Sequence, residues 1–407
     1  MFNTLTRRAL LAAAASSALL VSAPAIAAAK QGAAVTNTYN DWFRIGAAAQ
    51  ENWRIVGDPD DPNIAHVIGH DRKVGDAAQK VMVVYPRPSS AYDVAITQIL
   101  SVFAAKGLDT EVLAYNFKKD DVRGQAALTY AESNGYDLIL SMGSESTAWL
   151  YGKYQGGKLP VISVCSKDPV LLGQAKGYDQ GTGTNFALTS LNMPVEVQFS
   201  YISQVLPDMK NMGILVDGRN VSAVETQAKP MGAYARQRGL QVIDMALTDP
   251  KNAKAELQTL VSDAVALMRK SDPTLERSLF WMTGSTAVFR EIETVNAHAD
   301  RVPVLSVVPE VVNGTPASAV LSIGISFESN AHLAAIYAGD VLAKRKTAGS
   351  MSVGIVSPPD IAINFKKARE IGLRVPFNFF ESATYIYGYD GKLVRNLRVA
   401  SITSSSN

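Results

Sequence analysis

The chain has 407 residues, 39 Lys and Arg against 37 Asp and Glu, and 47% hydrophobic residues. Charge this balanced, with neither sign gathered into a long run, leaves no electrostatic footprint for nucleic acid or a membrane surface. Its single cysteine, Cys165, excludes an intramolecular disulfide, so the fold must rest on an apolar core, and a chain of this length suffices for two domains of ~150–200 residues each.

Residues 1–27 read as an export leader. Arg7 and Arg8 supply the positive start, an apolar run follows from Ala9 to Val21, and Ala25-Ile26-Ala27 has the small-x-small pattern of a cleavage site. Thr6-Arg7-Arg8-Ala9-Leu10-Leu11 also resembles a twin-arginine signal. Alanine dominates the apolar run and Pro24 interrupts it, which speaks for cleavage rather than anchoring. No later stretch holds ~18 uninterrupted apolar residues. The expectation is a protein exported to the periplasm. Cys165 stands too late in the chain for a lipid-modified N-terminus.

Residues 28–77 read as a polar, irregular extension with a turn cluster at Gly57-Asp58-Pro59-Asp60-Asp61-Pro62. Regular alternation then begins. The apolar run Val81-Met82-Val83-Val84-Tyr85 predicts a strand, followed by a helix over 91–106 that stops at Gly107. A strand over 109–115, a helix over 120–134, a strand over 137–141, a helix over 146–154 and a strand over 160–164 follow. A second cycle repeats the rhythm: helix 195–206, strand 212–216, helix 223–238, strand 240–246, helix 253–269, strand 278–282, helix 287–299 and strand 303–308. A further helix over 326–346 and a strand and helix over 360–372 close the pattern. Strands this apolar need cover on both faces, which is the mark of parallel sheets flanked by helices. The fold class is α/β, with two doubly wound parallel-sheet lobes.

In such sheets ligands bind beyond the carboxyl ends of the strands, and two facing clefts form one enclosed site. The strand-end loops are 86–91, 142–147, 165–169, 217–222, 283–286 and 309–312, rich in Ser, Thr, Gly, Asn and Asp. Short hydroxyls and backbone amides at helix starts suit a bound carboxylate, amide or hydroxyl, though the same residue types also serve as plain helix caps. Tyr85, Tyr92, Trp149, Trp281 and Phe289 lie on or near strand ends, where an aromatic on the cleft wall would stack on a flat ligand.

Other signals are weaker. His66 and His70 stand four apart, as metal ligands on one helical face would, but Val67-Ile68-Gly69 between them lacks a catalytic Glu. Gly181-Thr182-Gly183-Thr184-Asn185-Phe186 begins like a dinucleotide fingerprint and lacks its third glycine. No nucleophile elbow and no phosphate-binding loop is present. The expectation is no catalysis, no cofactor and no metal. An enzyme would have to draw on Asp168, Asp217 and Glu310, and Cys165 reads as a buried apolar residue.

Several spaced segments resemble the ABC transporter substrate-binding proteins, in the branch associated with aromatic amino acid uptake and built on a type I periplasmic-binding fold. These are Pro160-Val161-Ile162-Ser163-Val164 with Lys167-Asp168-Pro169-Val170, then Met212-Gly213-Ile214-Leu215-Val216, then Ser322-Ile323-Gly324-Ile325-Ser326-Phe327. The most characteristic is Pro359-Asp360-Ile361-Ala362-Ile363-Asn364-Phe365-Lys366-Lys367-Ala368 with Gly372 and Pro376. The resemblance runs from about residue 79 to about residue 380 and implies a multi-crossover hinge. One lobe would be 78–190 plus 326–352, the other 191–325 plus 353–382, with 383–407 a tail that packs on a lobe or meets a partner. It implies ligand contacts from Ser89, Ser90, Ser144, Ser146, Thr147 and Asp168 on one side. On the other they would come from Asp217, Asn220, Thr283, Ser285 and Glu310. The implied partners are a small molecule, amino acid-like or apolar and aromatic, and the membrane permease of an ABC importer. The alternative output is a sensor or an efflux or lipid-transport system, for which the protein reports or ferries an apolar ligand. The chain departs from the family at Ser326, where an Asp that could meet a ligand ammonium is common. It departs again in its first loop, which carries Arg87 between Tyr85 and Tyr92.

Overall fold

The computed structural model describes residues 38–397, all within one compact unit; the expected leader lies outside the described residues. One sheet holds β1 (Trp53–Gly57), β2 (Ile64–Gly69), β3 (Gln79–Tyr85), β4 (Thr110–Asn116), β5 (Leu138–Met142), β6 (Val161–Val164) and β7 (Phe186–Ala187). Their spatial order is β1-β2-β4-β3-β5-β6-β7. From β4 to β7 every neighbour is parallel, and β1 and β2 add an antiparallel hairpin at the edge. The short β8 (Thr189–Ser190) leads on to β9 (Asn211–Asp217), β10 (Gln241–Leu247), β11 (Ser278–Met282), β12 (Val304–Ser306) and β13 (Leu321–Gly324). After β14 (Gly354–Ile355), which pairs with β8, come β15 (Asp360–Asn364), β16 (Tyr385–Tyr387) and β17 (Leu393–Asn396). The second sheet runs β10-β9-β11-β12-β13-β15-β16-β17. Both sheets are doubly wound: β3 lies between β4 and β5 in the first, and β9 between β10 and β11 in the second.

The alternation of side chains explains how each sheet is covered. In the first sheet Val81, Val83, Val112, Ala114, Leu138 and Leu140 face one core, which helices Ser90–Ala105 and Phe327–Leu342 complete. Met82, Val84, Leu113, Tyr115 and Ile139 face the other, against helices Asp121–Ser133 and Gly143–Tyr154. A stretch of strand with both faces buried must be apolar at every position, which is why Val81–Tyr85 of β3 reads as an unbroken run.

The chain passes between the sheets after β7, after β13 and after β14. Helix Phe327–Leu342 follows a strand of the second sheet yet packs on the first. Two buried polar groups hold these passages. Asn330 accepts from Cys165 N (2.7 Å) and Thr189 Oγ1 (3.3 Å) and donates to Ser190 O (3.1 Å). Asp360 accepts from Ser326 N (3.1 Å), Ser326 Oγ (2.7 Å) and Ser329 Oγ (2.6 Å). Buried donors and acceptors without partners would each cost ~1–3 kcal/mol, so satisfied networks make the passage points specific.

Three local expectations are corrected. Residues 53–69, read as irregular, form the β1–β2 hairpin, and the turn cluster is its connection, where Asp58 Oδ1 accepts from Asp60 N and Asp61 N. An edge hairpin buries one face only, so polar residues such as Arg54 and His66 interrupt its apolar ones. His66 therefore lies on a strand, with Nε2 3.8 Å from Asp58, and shares no helical face with His70. Among the described residues no group of three or more His, Cys, Asp or Glu could hold a metal. The helix expected over 287–299 is two helices, Thr286–Phe289 and Ile292–His298, because the first closes with a tight Glu291 N to Val288 O bond. In the tail, residues 385–387 and 393–396 extend the second sheet as β16 and β17. No described helix is long and apolar enough to cross a membrane.

Candidate functional site

A cavity of about 600 Å³ opens between the carboxyl ends of the two sheets. This falls within the range of small-molecule sites. From the first sheet it is reached by the loop after β3, by the start of the helix after β5 and by the loop after β6. The second sheet contributes the loops after β9 and β11.

On the first side, Gly143 begins its helix directly from the end of β5 with φ +78°, a conformation that favours glycine. A Cβ there would lie 2.2 Å from the Tyr92 hydroxyl, so the glycine lets Tyr92 reach the cavity floor. Glu145, in the first turn of that helix, accepts from Arg87 Nε (2.8 Å) and pairs with Lys119. Burial alone would raise the Glu145 carboxyl, but Lys119 and Arg87 hold it below the usual carboxylate range. Burial would weaken the hold of Arg87 on its proton, but Tyr92, the bonded Glu145 carboxylate and, least, Asp217 across the gap more than offset it. Burial keeps Tyr92 neutral, as a hydroxyl donor.

The loop after β6 supplies the link between lobes. Cys165 takes a left-handed φ of 52° while its N–H is held by Asn330. Lys167, 7% exposed, has its backbone N–H held by Ser144 Oγ (2.9 Å) and sends Nζ across the cavity to Gly284 O (3.3 Å). Burial first, and Arg87 second, depress the Lys167 ammonium to about 8. The same burial pushes the Cys165 thiol far up, which leaves it a poor nucleophile.

On the second side, Asp217 ends β9 and accepts from Arg219 N (3.0 Å), and Asn220 caps the following helix through Ala223 N (3.2 Å). That helix contains a π-helical turn, Val224–Ala228, and from it Gln227 Oε1 receives Gly284 N (2.9 Å). The Gly284 peptide is thus gripped from both sides. The break at 290–291 brings Phe289, Arg290 and Glu291 to the cavity wall.

Of the expected contact residues, Ser89, Tyr92, Ser144, Asp217 and Asn220 line this cavity. Several others do not. Tyr85 is 1% exposed and packs at 5.6 Å from Trp42, 5.8 Å from Phe43 and 6.0 Å from Tyr92. Ser146 and Thr147 turn inward, to Val84 O (2.9 Å) and Gly143 O (3.0 Å). Thr283 and Ser285 are wholly buried and bond each other (2.9 Å), with Thr283 also donating to Leu215 O. These hydroxyls shape the loops from behind. Ser90 and Glu310 lie at a separate opening, where Glu310 accepts from Phe327 N (2.7 Å). Asp168 borders a second cavity of about 310 Å³, its carboxylate occupied by Val170 N, Leu171 N and the Tyr178 hydroxyl. Ser326 caps its helix and faces Asp360, so that position is turned from the cavity. The cavity residues that the sequence reading missed are chiefly cations: Lys119, Lys167, Arg219 and Arg290.

Two doubly wound lobes, crossed three times by the chain and closing on a polar cavity, define a binding protein of the type I periplasmic class. Residues 80–386 match the family described as ABC transporter substrate binding protein, and the chain belongs to it. Among solved structures it is similar to a conserved domain protein from Vibrio cholerae, at TM-score 0.60 and 18% identity over 76% of this chain and 99% of that one. It is also similar to an ABC domain in complex with L-Trp from Streptococcus pneumonia, at TM-score 0.60 and 19% identity over 76% of this chain and 99% of that one. A ligand-free, open substrate binding protein with adhesive properties from Clostridium difficile matches at TM-score 0.56 and 18% identity, over 75% and 98%. No curated protein matches.

Proposed function

We propose that this protein captures a small solute between its lobes in the periplasm and presents the closed, loaded form to the permease of an ABC importer, without chemistry of its own. The observation that carries this reading is Lys167, which reaches from one lobe to the Gly284 carbonyl of the other across the cavity. A ligand that touches both lobes favours the closed state by its differential contacts, and a permease that recognises closure then takes only loaded protein. The cavity lining contains no histidine, and its cysteine is held protonated by burial. Glu145 is engaged by Arg87 and Lys119. With its thiol protonated and Glu145 tied up in ion pairs, the cavity offers charge and hydrogen bonds to a ligand, which supports carriage. The L-Trp in the streptococcal structure supports a cargo of metabolite size.

The test is native mass spectrometry of protein purified without refolding, followed by thermal-shift screening and small-angle scattering. A retained or added ligand is expected to shrink the radius of gyration. At 100 times its Kd it adds ~2.7 kcal/mol of stability. A broad metabolite library in which nothing is retained and nothing raises the melting temperature would defeat the proposal.

A further inference from the structure

The charges around the cavity do not balance. Arg87, Lys119, Lys167, Arg219 and Arg290 border it, against the carboxylates of Glu145, Asp217 and Glu291. Glu145 alone answers both Arg87 and Lys119. Asp217 is engaged by the backbone N–H of Arg219, and Glu291 by the Thr294 hydroxyl at 3.2 Å. Among the described residues, Lys167 Nζ has the Gly284 carbonyl as its hydrogen-bond partner and no ion-paired carboxylate. Among the described residues, the Arg219 and Arg290 guanidinium groups have no ion pair or side-chain hydrogen bond.

The surplus is also divided between the two sides. Lys167 stands on the first lobe, after β6, while Arg219 and Arg290 stand on the second, after β9 and β11. Such an arrangement resists closure by like-charge repulsion until something negative enters between them. A zwitterion brings its own ammonium and leaves the surplus unchanged, and an apolar molecule would bury it unanswered. Guanidinium forks match carboxylate and phosphate oxygens two at a time, and an ammonium binds them as a point charge.

We infer that the cargo is a small organic dianion, a phosphate monoester or a dicarboxylate, clasped between Lys167 on one lobe and Arg219 and Arg290 on the other. The inference rests on the capture reading and adds the chemical class of the cargo. Tyr92, Phe289 and Phe327 in the same wall leave room for a short carbon skeleton. The depressed Lys167 ammonium fits a cation kept from water without a counter-charge, a state that an entering anion relieves.

The experiment is titration calorimetry on the whole protein with phenyl phosphate, succinate, inorganic phosphate, tryptophan and an uncharged indole. One of the two organic dianions should bind at least about ten-fold more tightly than tryptophan or indole, as one extra charge-assisted hydrogen bond would give. Which of the two it is separates phosphate from dicarboxylate. Affinity should fall several-fold between about 50 mM and about 500 mM salt. Arg219→Gln with Arg290→Gln, both at exposed positions, should weaken dianion binding at least about ten-fold with an unchanged melting temperature. Tryptophan or indole binding more tightly than both organic dianions overturns the inference and leaves capture standing. So does inorganic phosphate binding as tightly as phenyl phosphate, or a double variant that binds dianions normally. Failure of every class of small molecule brings down capture and this inference together.

Discussion

Replacing Lys167 with methionine should stabilise the empty protein while abolishing its grip on cargo. The unfolded lysine titrates near 10.5 and the folded one near 8. At ~1.4 kcal/mol per unit, the depression corresponds to ~3 kcal/mol of unfavourable charge burial. Methionine keeps the length of the stem and removes the charge. It also forfeits the 3.3 Å bond to Gly284 O, worth ~1 kcal/mol. The net expectation at pH 7 is a gain of about 2 kcal/mol, read from urea denaturation midpoints. The sign of the pH dependence follows from linkage. Because the folded value lies below the unfolded one, the wild type carries its penalty in full below pH 8 and sheds it as pH rises toward 10.5. By about pH 9.5 it recovers ~2 kcal/mol, and the advantage of Lys167→Met disappears. Calorimetry on the same variant should show at least a ten-fold loss of dianion affinity, on the order of one charged contact. A variant less stable than wild type at pH 7, or one whose gain is independent of pH, would show that the ammonium is a structural tie, and the reasoning would fail.

Gly143→Ala places a Cβ 2.2 Å from the Tyr92 hydroxyl at a φ of +78°, and should cost at least about 2 kcal/mol and weaken ligand binding. Gly152→Ala in the same helix meets nothing within 4 Å and should stabilise by ~0.5–1 kcal/mol, so equal thermal shifts for the two would contradict the packing argument. Asp360→Asn replaces the charged acceptor shared by Ser326 and Ser329, and a loss of ~2–3 kcal/mol is expected in chemical denaturation. A melting curve superimposable on wild type would show that the hinge does not depend on that charge.

Much of the scaffold was legible because burial on both faces leaves no freedom of composition. The runs Val81–Val84, Met212–Val216 and Leu279–Met282 had to be apolar throughout, and their helices follow at the spacing that covers them. The hairpin β1–β2 was not legible, because Arg54 and His66 on its wet face break the apolar signal. The strand-end loops were legible as loops. Which of their residues enter the cavity was not. Ser144 and Ser146 are two apart at the start of one helix, yet Ser144 borders the cavity while Ser146 bonds Val84 O from within. Thr283 and Ser285 likewise face inward while the glycine between them meets Lys167.

The sequence by itself determined two parallel-sheet lobes, the loops at their strand ends and the absence of any disulfide constraint, because periodicity and residue type act over a few positions at a time. The tertiary structure alone decided which cations meet. Arg87, Lys167, Arg219 and Arg290 are scattered over some 200 positions of the chain and read singly as solvated charges. Only the passage of the chain between lobes, pinned by Asn330 and Asp360, brings them around one space. Charge balance is a sum over neighbours in space, and no local pattern along the chain encodes it.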